Sequence, residues 1–240
     1  MLVKLNKPAI LSRAVEIISE LVTEVRIKVN EFGMSITAID PANVCMVGFK
    51  LPKSVFSQFE TDSEVLGINL ESLKHVLKRC SFSSALIMEK RGNLLNLQIQ
   101  DRIKRNFTLS LIDIDAEDKE FPNLDFSSKV EMNSIDLIDS IEDCAVIADS
   151  CSFKIEDEKF IIESKGLNSA RSEFSGDEAK IEAENCKSKY SLEYLQKFMK
   201  GAKLSDKVTL RFANDHPLRM DIKSEMELSF LLAPRIETED

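Results

Sequence analysis

The chain repeats itself. Shifting its first half by 126 positions lays LSRAVE (Leu11–Glu16) on LIDSIE (Leu137–Glu142), and RIKVNEFGMSIT (Arg26–Thr37) on SFKIEDEKFIIE (Ser152–Glu163). A shift of 122 then lays LESLKHVLK (Leu70–Lys78) on LEYLQKFMK (Leu192–Lys200), and ALIMEK (Ala85–Lys90) on KVTLRF (Lys207–Phe212). Elements, order and apolar phase all recur. A period this long implies two copies of one domain rather than a solenoid of short units. Divided this way, 240 residues make two domains of about 110–120 residues each. We expect residues 1–114 to form the first, 115–127 a connecting loop and 128–240 the second.

Each repeat carries two helical and several strand patterns. The first helix is expected from Pro8 to Leu21, burying Leu11, Ala14, Val15, Ile18 and Leu21 at helical spacing, with Pro8 in the first turn. The second spans Leu70–Arg79, with Leu70, Leu73, Val76, Leu77 and Cys80 on its apolar face. The third starts at Asn133 or Ser134 and buries Ile138, Ile141 and Ala145. The fourth spans Leu192–Lys200, burying Leu192, Leu195, Phe198 and Met199, and Gly201 is suited to end it. Val25–Val29, Ser35–Ile39, Ala85–Glu89, Leu94–Ile99 and Phe107–Ile114 read as strands bounded by turns such as NEFG and KRGN. Four helices among some sixteen or more short strands make an α+β chain.

Chemistry-bearing patterns are scarce. His75 and His216 stand in no metal-ligand spacing, and neither a glycine-rich phosphate loop nor a nucleophile elbow occurs. Five scattered cysteines without a C-x-x-C read as small apolar residues, not as a disulfide framework or a zinc site. No cofactor or metal is implied. The acidic runs DIDAED, IEDEK and ETED read as solvated loop, turn and tail. A carboxylate-dependent hydrolase built on Asp113, Asp115, Glu117 and Asp118 is the alternative from another class. No apolar run reaches the roughly 18–20 residues of a membrane span, and the N-terminus is too polar for a secretory signal, so an intracellular soluble protein is expected.

A net charge of −9 argues against a simple basic nucleic-acid binder. The bases nevertheless gather on the polar faces of corresponding helices. Lys74, His75, Lys78 and Arg79 lie on the second, Lys197 and Lys200 on the fourth, and Arg13 on the first. Between the halves, Asp113–Ser128 is acidic and aperiodic, yet it carries Phe121-Pro122, an aromatic that a solvated tether does not need.

Several segments resemble the proliferating cell nuclear antigen family of sliding clamps, in a form more archaeal than eukaryotic. They are GMSITAIDPANVCMVGFKLP (Gly33–Pro52), GINLESLKHVLKRC (Gly67–Cys80), SDKVTLRFANDHPLRMDI (Ser205–Ile222) and the closing LLAPRIE (Leu231–Glu237). The resemblance implies the DNA-clamp fold, two tandem domains each with two helices packed on antiparallel sheets. Three subunits would close into a pseudo-six-fold ring around duplex DNA, with helices lining the hole. A homotrimer is expected, and one subunit of a heterotrimer is the alternative. The implied function is that of a non-enzymatic processivity factor, without membrane contact. It would tether DNA polymerase, clamp loader, ligase and flap nuclease through short peptide motifs, on chromosomal DNA in an archaeal cytoplasm or a eukaryotic nucleus.

Position by position, the resemblance makes Arg13, His75, Lys78 and Lys200 DNA-facing, with Lys74, Arg79 and Lys197 as neighbours. It assigns the client-peptide groove to Ile39, Val44, Met46, Phe121, Pro122, Pro217, Leu231, Ala233 and Pro234. It places the subunit interface at Phe107, Leu109 and Leu111 of one chain and Arg171, Glu173 and Phe174 of the next. The third helix departs from the family, carrying Asp136, Asp139, Glu142 and Asp143 where other members place bases.

Overall fold

Alternation of apolar and polar residues along short runs gives most of this chain its strands, and the 3.6-residue period gives it four helices. The computed structural model describes residues 1–115 and 119–236. Thus Glu117 and Asp118 of the acidic connecting segment, and the terminal ETED run, lie outside the described residues. Along the first half run β1 (Leu2–Leu5), α1 (Ala9–Ile18), β2 (Glu24–Asn30), β3 (Gly33–Ile39), β4 (Cys45–Pro52), β5 (Gln58–Glu60), β6 (Glu64–Asn69), α2 (Leu70–Leu77), β7 (Ala85–Arg91), β8 (Leu94–Gln100) and β9 (Lys104–Ser110). The second half supplies β10 (Ser128–Asn133), α3 (Ser134–Ile147), β11 (Ser150–Glu156), β12 (Lys159–Lys165), β13 (Ser169–Phe174), β14 (Ala179–Ala183), β15 (Cys186–Ser191), α4 (Leu192–Ala202), β16 (Lys207–Phe212), β17 (Leu218–Lys223) and β18 (Glu227–Leu232).

Two compact units result. One comprises Met1–Pro41, Val47–Phe121 and Glu225–Glu227; the other comprises Ala42–Met46, Pro122–Ser224 and Leu228 onward. The first unit holds strand orders β5-β1-β7-β8-β9 and β6-β2-β3-β4, and the second holds β14-β10-β16-β17-β18 and β15-β11-β12-β13. Every pairing of β1 and β2 has its counterpart at β10 and β11, and all are antiparallel. The repeat read from the sequence is therefore a repeat of hydrogen-bond topology.

Each unit buries its helices against its own strands. Leu11, Ala14, Val15, Ile17 and Ile18 of α1 and Leu70, Leu73, Val76 and Leu77 of α2 are buried, and these two helices pack together. Phe153 of β11 sits edge-on to Phe160 and Tyr190, with centroids 5.5 and 5.4 Å away, at the centre of the second core. Full burial of such side chains contributes about 2–3 kcal/mol each.

Helix ends differ from the sequence reading in instructive ways. Helix α1 stops at Ile18 because the Ser19 hydroxyl turns back to Glu16 O at 2.8 Å and the following bonds tighten to i−3. Leu21 remains buried but lies past the helix. Helix α2 ends at Leu77, so Cys80 is half-buried in the following turn rather than on the apolar face. In α3 the inward stripe is Leu137, Ile138, Ile141 and Cys144, which leaves Ala145 half-buried. Gly201 does not terminate α4; it lies buried inside it. The strand expected over Phe107–Ile114 ends at Ser110, where the Leu111 N–H turns to Asn93 O at 2.9 Å.

Candidate functional site

The candidate DNA-facing residues divide between the two units. In the first, Arg13 lies one turn before Glu16 on α1, and Glu16 Oε1 accepts from Lys78 Nζ at 2.7 Å. That ion pair ties Arg13, Glu16, His75 and Lys78 to one polar face, since three- and four-residue spacings share a helix side. The hydrogen bond from Lys78 to Glu16 raises the lysine's pKa above its ordinary value. Glu71 accepts from Lys74 and lies 3.8 Å from His75 Nε2. The Lys74 hydrogen bond holds the Glu71 carboxyl below the usual carboxylate range. Arg13 and Arg79 are exposed and have no ion pair among the described residues.

In the second unit, Lys197 Nζ pairs with Glu193 Oε1 one turn back, 3.0 Å away, and lies 5.1 Å from the Tyr194 ring centroid. Lys200 follows on the same side and is exposed. On α3, Asp139, Glu142 and Asp143 are exposed, and Asp136 accepts from the Asn133 side chain at 3.2 Å. The bases on these helices are therefore substantially offset by carboxylates. The i,i+4 pairs Glu71/His75 and Glu193/Lys197 were legible as spacings. The Glu16–Lys78 pair joins separate helices and left no sequence signal.

The candidate groove residues also fall in both units. In the first, Ile39 is half-buried at the end of β3 and lines a cleft of about 210 Å³ with Ala38, Val25, Ile114 and Lys119. Phe121 is half-buried against Gly48 of β4, whose hydrogen leaves room for the ring. In the second, Val44, Pro217, Leu231, Ala233 and Pro234 are half-buried, Met46 is buried and Pro122 is exposed. The Ala233 N–H donates to Val44 O at 2.9 Å. Tyr190 donates its hydroxyl to His216 O at 2.7 Å, which fixes the loop presenting Pro217. Ala38 and Ile114, which line this cleft, and Gly48, which seats Phe121, were not singled out from the sequence, because a single small or apolar residue in or beside a strand carries no pattern of its own.

The candidate interface residues lie on two strands that each end a sheet. On β9, Phe107 and Leu109 are half-buried and alternate with exposed Asn106 and Thr108; Leu111 is buried just beyond. On β13, Arg171 and Glu173 are exposed and paired at 2.6 Å, and Phe174 is buried with its ring stacked 6.0 Å from Phe160. Of the carboxylates invoked for hydrolysis, Asp113 and Asp115 are exposed loop residues.

Comparison with known proteins shows the family of the chain. The family model described as "Proliferating cell nuclear antigen, N-terminal domain" matches residues 1–120, and its C-terminal counterpart matches residues 120–235. A "DNA polymerase sliding clamp" of Pyrococcus horikoshii is 35% identical over 241 residues, covering 94% of each chain. One from Thermococcus gammatolerans is 36% identical over 228 residues, covering 91% of this chain and 92% of its own. Among solved structures, proliferating cell nuclear antigen from Thermococcus kodakaraensis superposes with a TM-score of 0.91 at 25% identity, covering 98% of this chain and 99% of that one. The Entamoeba histolytica protein gives a TM-score of 0.90 at 24% identity, covering 98% of both, which speaks for the fold alone. The chain belongs to the proliferating cell nuclear antigen family.

Proposed function

We propose that this protein is a sliding clamp and processivity factor. Copies close head to tail around duplex DNA and tether DNA polymerase and other replication enzymes to it. The observation that carries this reading is the correspondence between strand edges. By the repeat, β9 holds the place in the first unit that β18 holds in the second, and β13 in the second holds the place of β4 in the first. Both β9 and β13 end their sheets, so each leaves an edge open to another strand. Pairing β9 of one chain with β13 of the next would cover both edges. An open edge is otherwise a liability, and a head-to-tail contact closes into a ring when each step rotates by a third of a turn.

Charge supports the same arrangement. Exposed Arg102 precedes β9 and exposed Lys104 opens it, while Glu142 and Asp143 project from α3, which packs on β13. In a ring of identical chains these acids and bases would meet at the β9–β13 junction. Within the ring, Arg13, His75, Lys78, Arg79, Lys197 and Lys200 line the hole and meet phosphates. Their partial neutralisation suits a protein held on DNA by topology, since weak and sequence-blind contacts leave it free to slide. The groove residues from Ile39 to Pro234 would accept a short client peptide with aromatic anchors, from polymerase, clamp loader, ligase or nuclease. The clamp itself performs no chemistry, and it works inside the cell on chromosomal DNA.

Light scattering of the purified chain is expected to give about three times its 27.1 kDa mass. Loaded protein should stay on covalently closed circles and run off linear duplexes. A strictly monomeric chain at high concentration and low salt, or equal retention on linear DNA, would overturn the reading. The acidic face of α3 favours one second reading, a subunit of a mixed ring. Stimulation of a polymerase on primed circular template by this chain alone removes that alternative.

A further inference from the structure

The second unit carries a basic face on the side of its sheet away from the helices, and of the bases assigned above only Arg171 belongs to it. Phe153, Ile155, Phe160 and Ile162 point into the core, so the alternate residues form the opposite face. Strand register sets the bases in a grid. Lys154 stands opposite Lys187, Ser152 opposite both Lys189 and Glu163, and Glu163 opposite Arg171. Lys165 follows two residues beyond Glu163. Glu163 is 3% exposed and fully engaged by Lys154, by Arg171 at 2.9 Å and by Lys165 at 3.3 Å. Lys187 has no ion pair among the described residues. Lys154 stands opposite Lys187, but its charge is taken by Glu163, which leaves Lys187 as a base of this face with no carboxylate of its own among those residues.

These side chains border a shallow cleft of about 150 Å³ with hydroxyls from Ser150 and Ser152. We propose that this face docks an acidic, extended peptide segment of a partner protein, in a strand-like conformation along β15. Lys187 and Lys189 are two residues apart on one strand face. A strand-like ligand presents carboxylates at alternate positions with the same spacing of about 7 Å. The patch is short and bounded by Glu156 on β11 and Asp149 at its start, so it offers no continuing track for a long polyanion. It also lacks exposed aromatic rings on which bases could stack. Both features favour a peptide over nucleic acid.

The probe is a fluorescein-labelled peptide of about eight residues alternating aspartate and serine, enough to span the face. Its anisotropy is read against the full-length protein as salt is raised. Binding should weaken with salt, and Lys187→Glu with Lys189→Glu should lower affinity at least about tenfold. Lys187→Gln with Lys189→Gln should give a smaller loss in the same direction. Retention on closed circular DNA should stay unchanged in both variants, which separates this proposal from the ring. Absence of binding, or affinity indifferent to both pairs of substitutions, would overturn it. So would a short blunt duplex that competes at lower concentration than the peptide and loses affinity with the same substitutions, because the occupant would then be nucleic acid.

Discussion

The Phe121 ring occupies the space that a side chain on residue 48 would need: a β-carbon built on Gly48 would stand 2.5 Å from Phe121 Cε2. A strand glycine normally weakens its strand, and here the weakness is offset by an aromatic docked on bare backbone. The connecting segment is thereby held at one point.

Gly48→Ala should therefore push Phe121 off its seat. In the proposed groove, loss of one aromatic wall weakens a client peptide by about tenfold, the effect typical of a central anchor. Titration calorimetry with a client-derived peptide reads this directly, and light scattering should give an unchanged particle mass. Phe121→Ala should produce a similar loss. If neither substitution alters affinity, the groove lies elsewhere.

In the proposed ring, closure depends on β9. Leu109 is half-buried on an edge strand whose core-facing neighbour Leu95 is fully covered, so pairing between chains would cover its remaining exposure. Leu109→Arg places a charge there that pairing between chains would bury, at a cost of several kcal/mol. The expected outcome is a particle whose scattering mass falls toward 27.1 kDa with its circular dichroism intact. A variant that keeps the full assembled mass would exclude this edge from the interface.

The bases on the helices should not contribute alike. Lys78 is held by Glu16 at 2.7 Å, whereas Arg13 one turn away carries no ion pair among the described residues. Arg13→Ala and the pair Lys78→Ala with Lys200→Ala should shorten retention on closed circular DNA and flatten its salt dependence, as lost phosphate contacts do. Glu16→Gln should act in the opposite sense, lengthening retention at low salt by releasing Lys78. Unchanged retention in all three would mean that this face does not look at DNA.

How much of this was legible beforehand follows from what each residue must encode. Strand pairing repeats because apolar phase repeats, and phase is written in the sequence; β2 against β3 and β11 against β12 were visible as aligned runs. Helix ends were less legible, because local side-chain competition decides them. The Ser19 hydroxyl closing on Glu16 O is one such event. Contacts between separated elements left no trace at all. Glu16 with Lys78 and Gly48 with Phe121 each join positions more than sixty residues apart, and nothing in either member announces the other. The candidate DNA and groove residues were therefore recognisable by position in a family pattern, while their neutralising partners and supporting floor came only from the packing.

Glu163 supplies a pH signature. Burial pushes its carboxyl up, but hydrogen bonds from Lys154, Lys165 and Arg171 outweigh this and hold it below its usual value of 4.5. A carboxyl depressed in the folded state stabilises fully above its unfolded pKa, and the contribution fades as pH falls through the folded one. Glu163→Gln should lower stability at neutral pH by about 2 kcal/mol, less than for a fully buried pair because Arg171 and Lys165 are partly solvated. The deficit should shrink as pH drops below 4.5. Urea titrations at neutral and acid pH test this, and a pH-independent deficit would count against the pairing.

Gly201 gives the last test, because local preference and packing oppose each other there. The shift of 122 aligns it with Arg79, which is exposed beyond the end of α2, whereas Gly201 is buried within α4. Helix propensity alone makes Gly201→Ala stabilising by about 1 kcal/mol. The added methyl, however, would stand 3.0 Å from Leu228 Cδ2, 3.1 Å from Phe230 Cε2 and 3.2 Å from Ile222 Cδ1. Phe230 cannot readily withdraw, because its ring is stacked on Phe198 at 4.2 Å with an interplanar angle of 14°. Overpacking of this kind costs about 1–3 kcal/mol, so packing outweighs propensity and the variant should be destabilised by about 1 kcal/mol. Chemical denaturation should show a lower midpoint with an unchanged slope. A raised midpoint would mean that β17 and β18 yield to the methyl and that the close approach to α4 is not constrained.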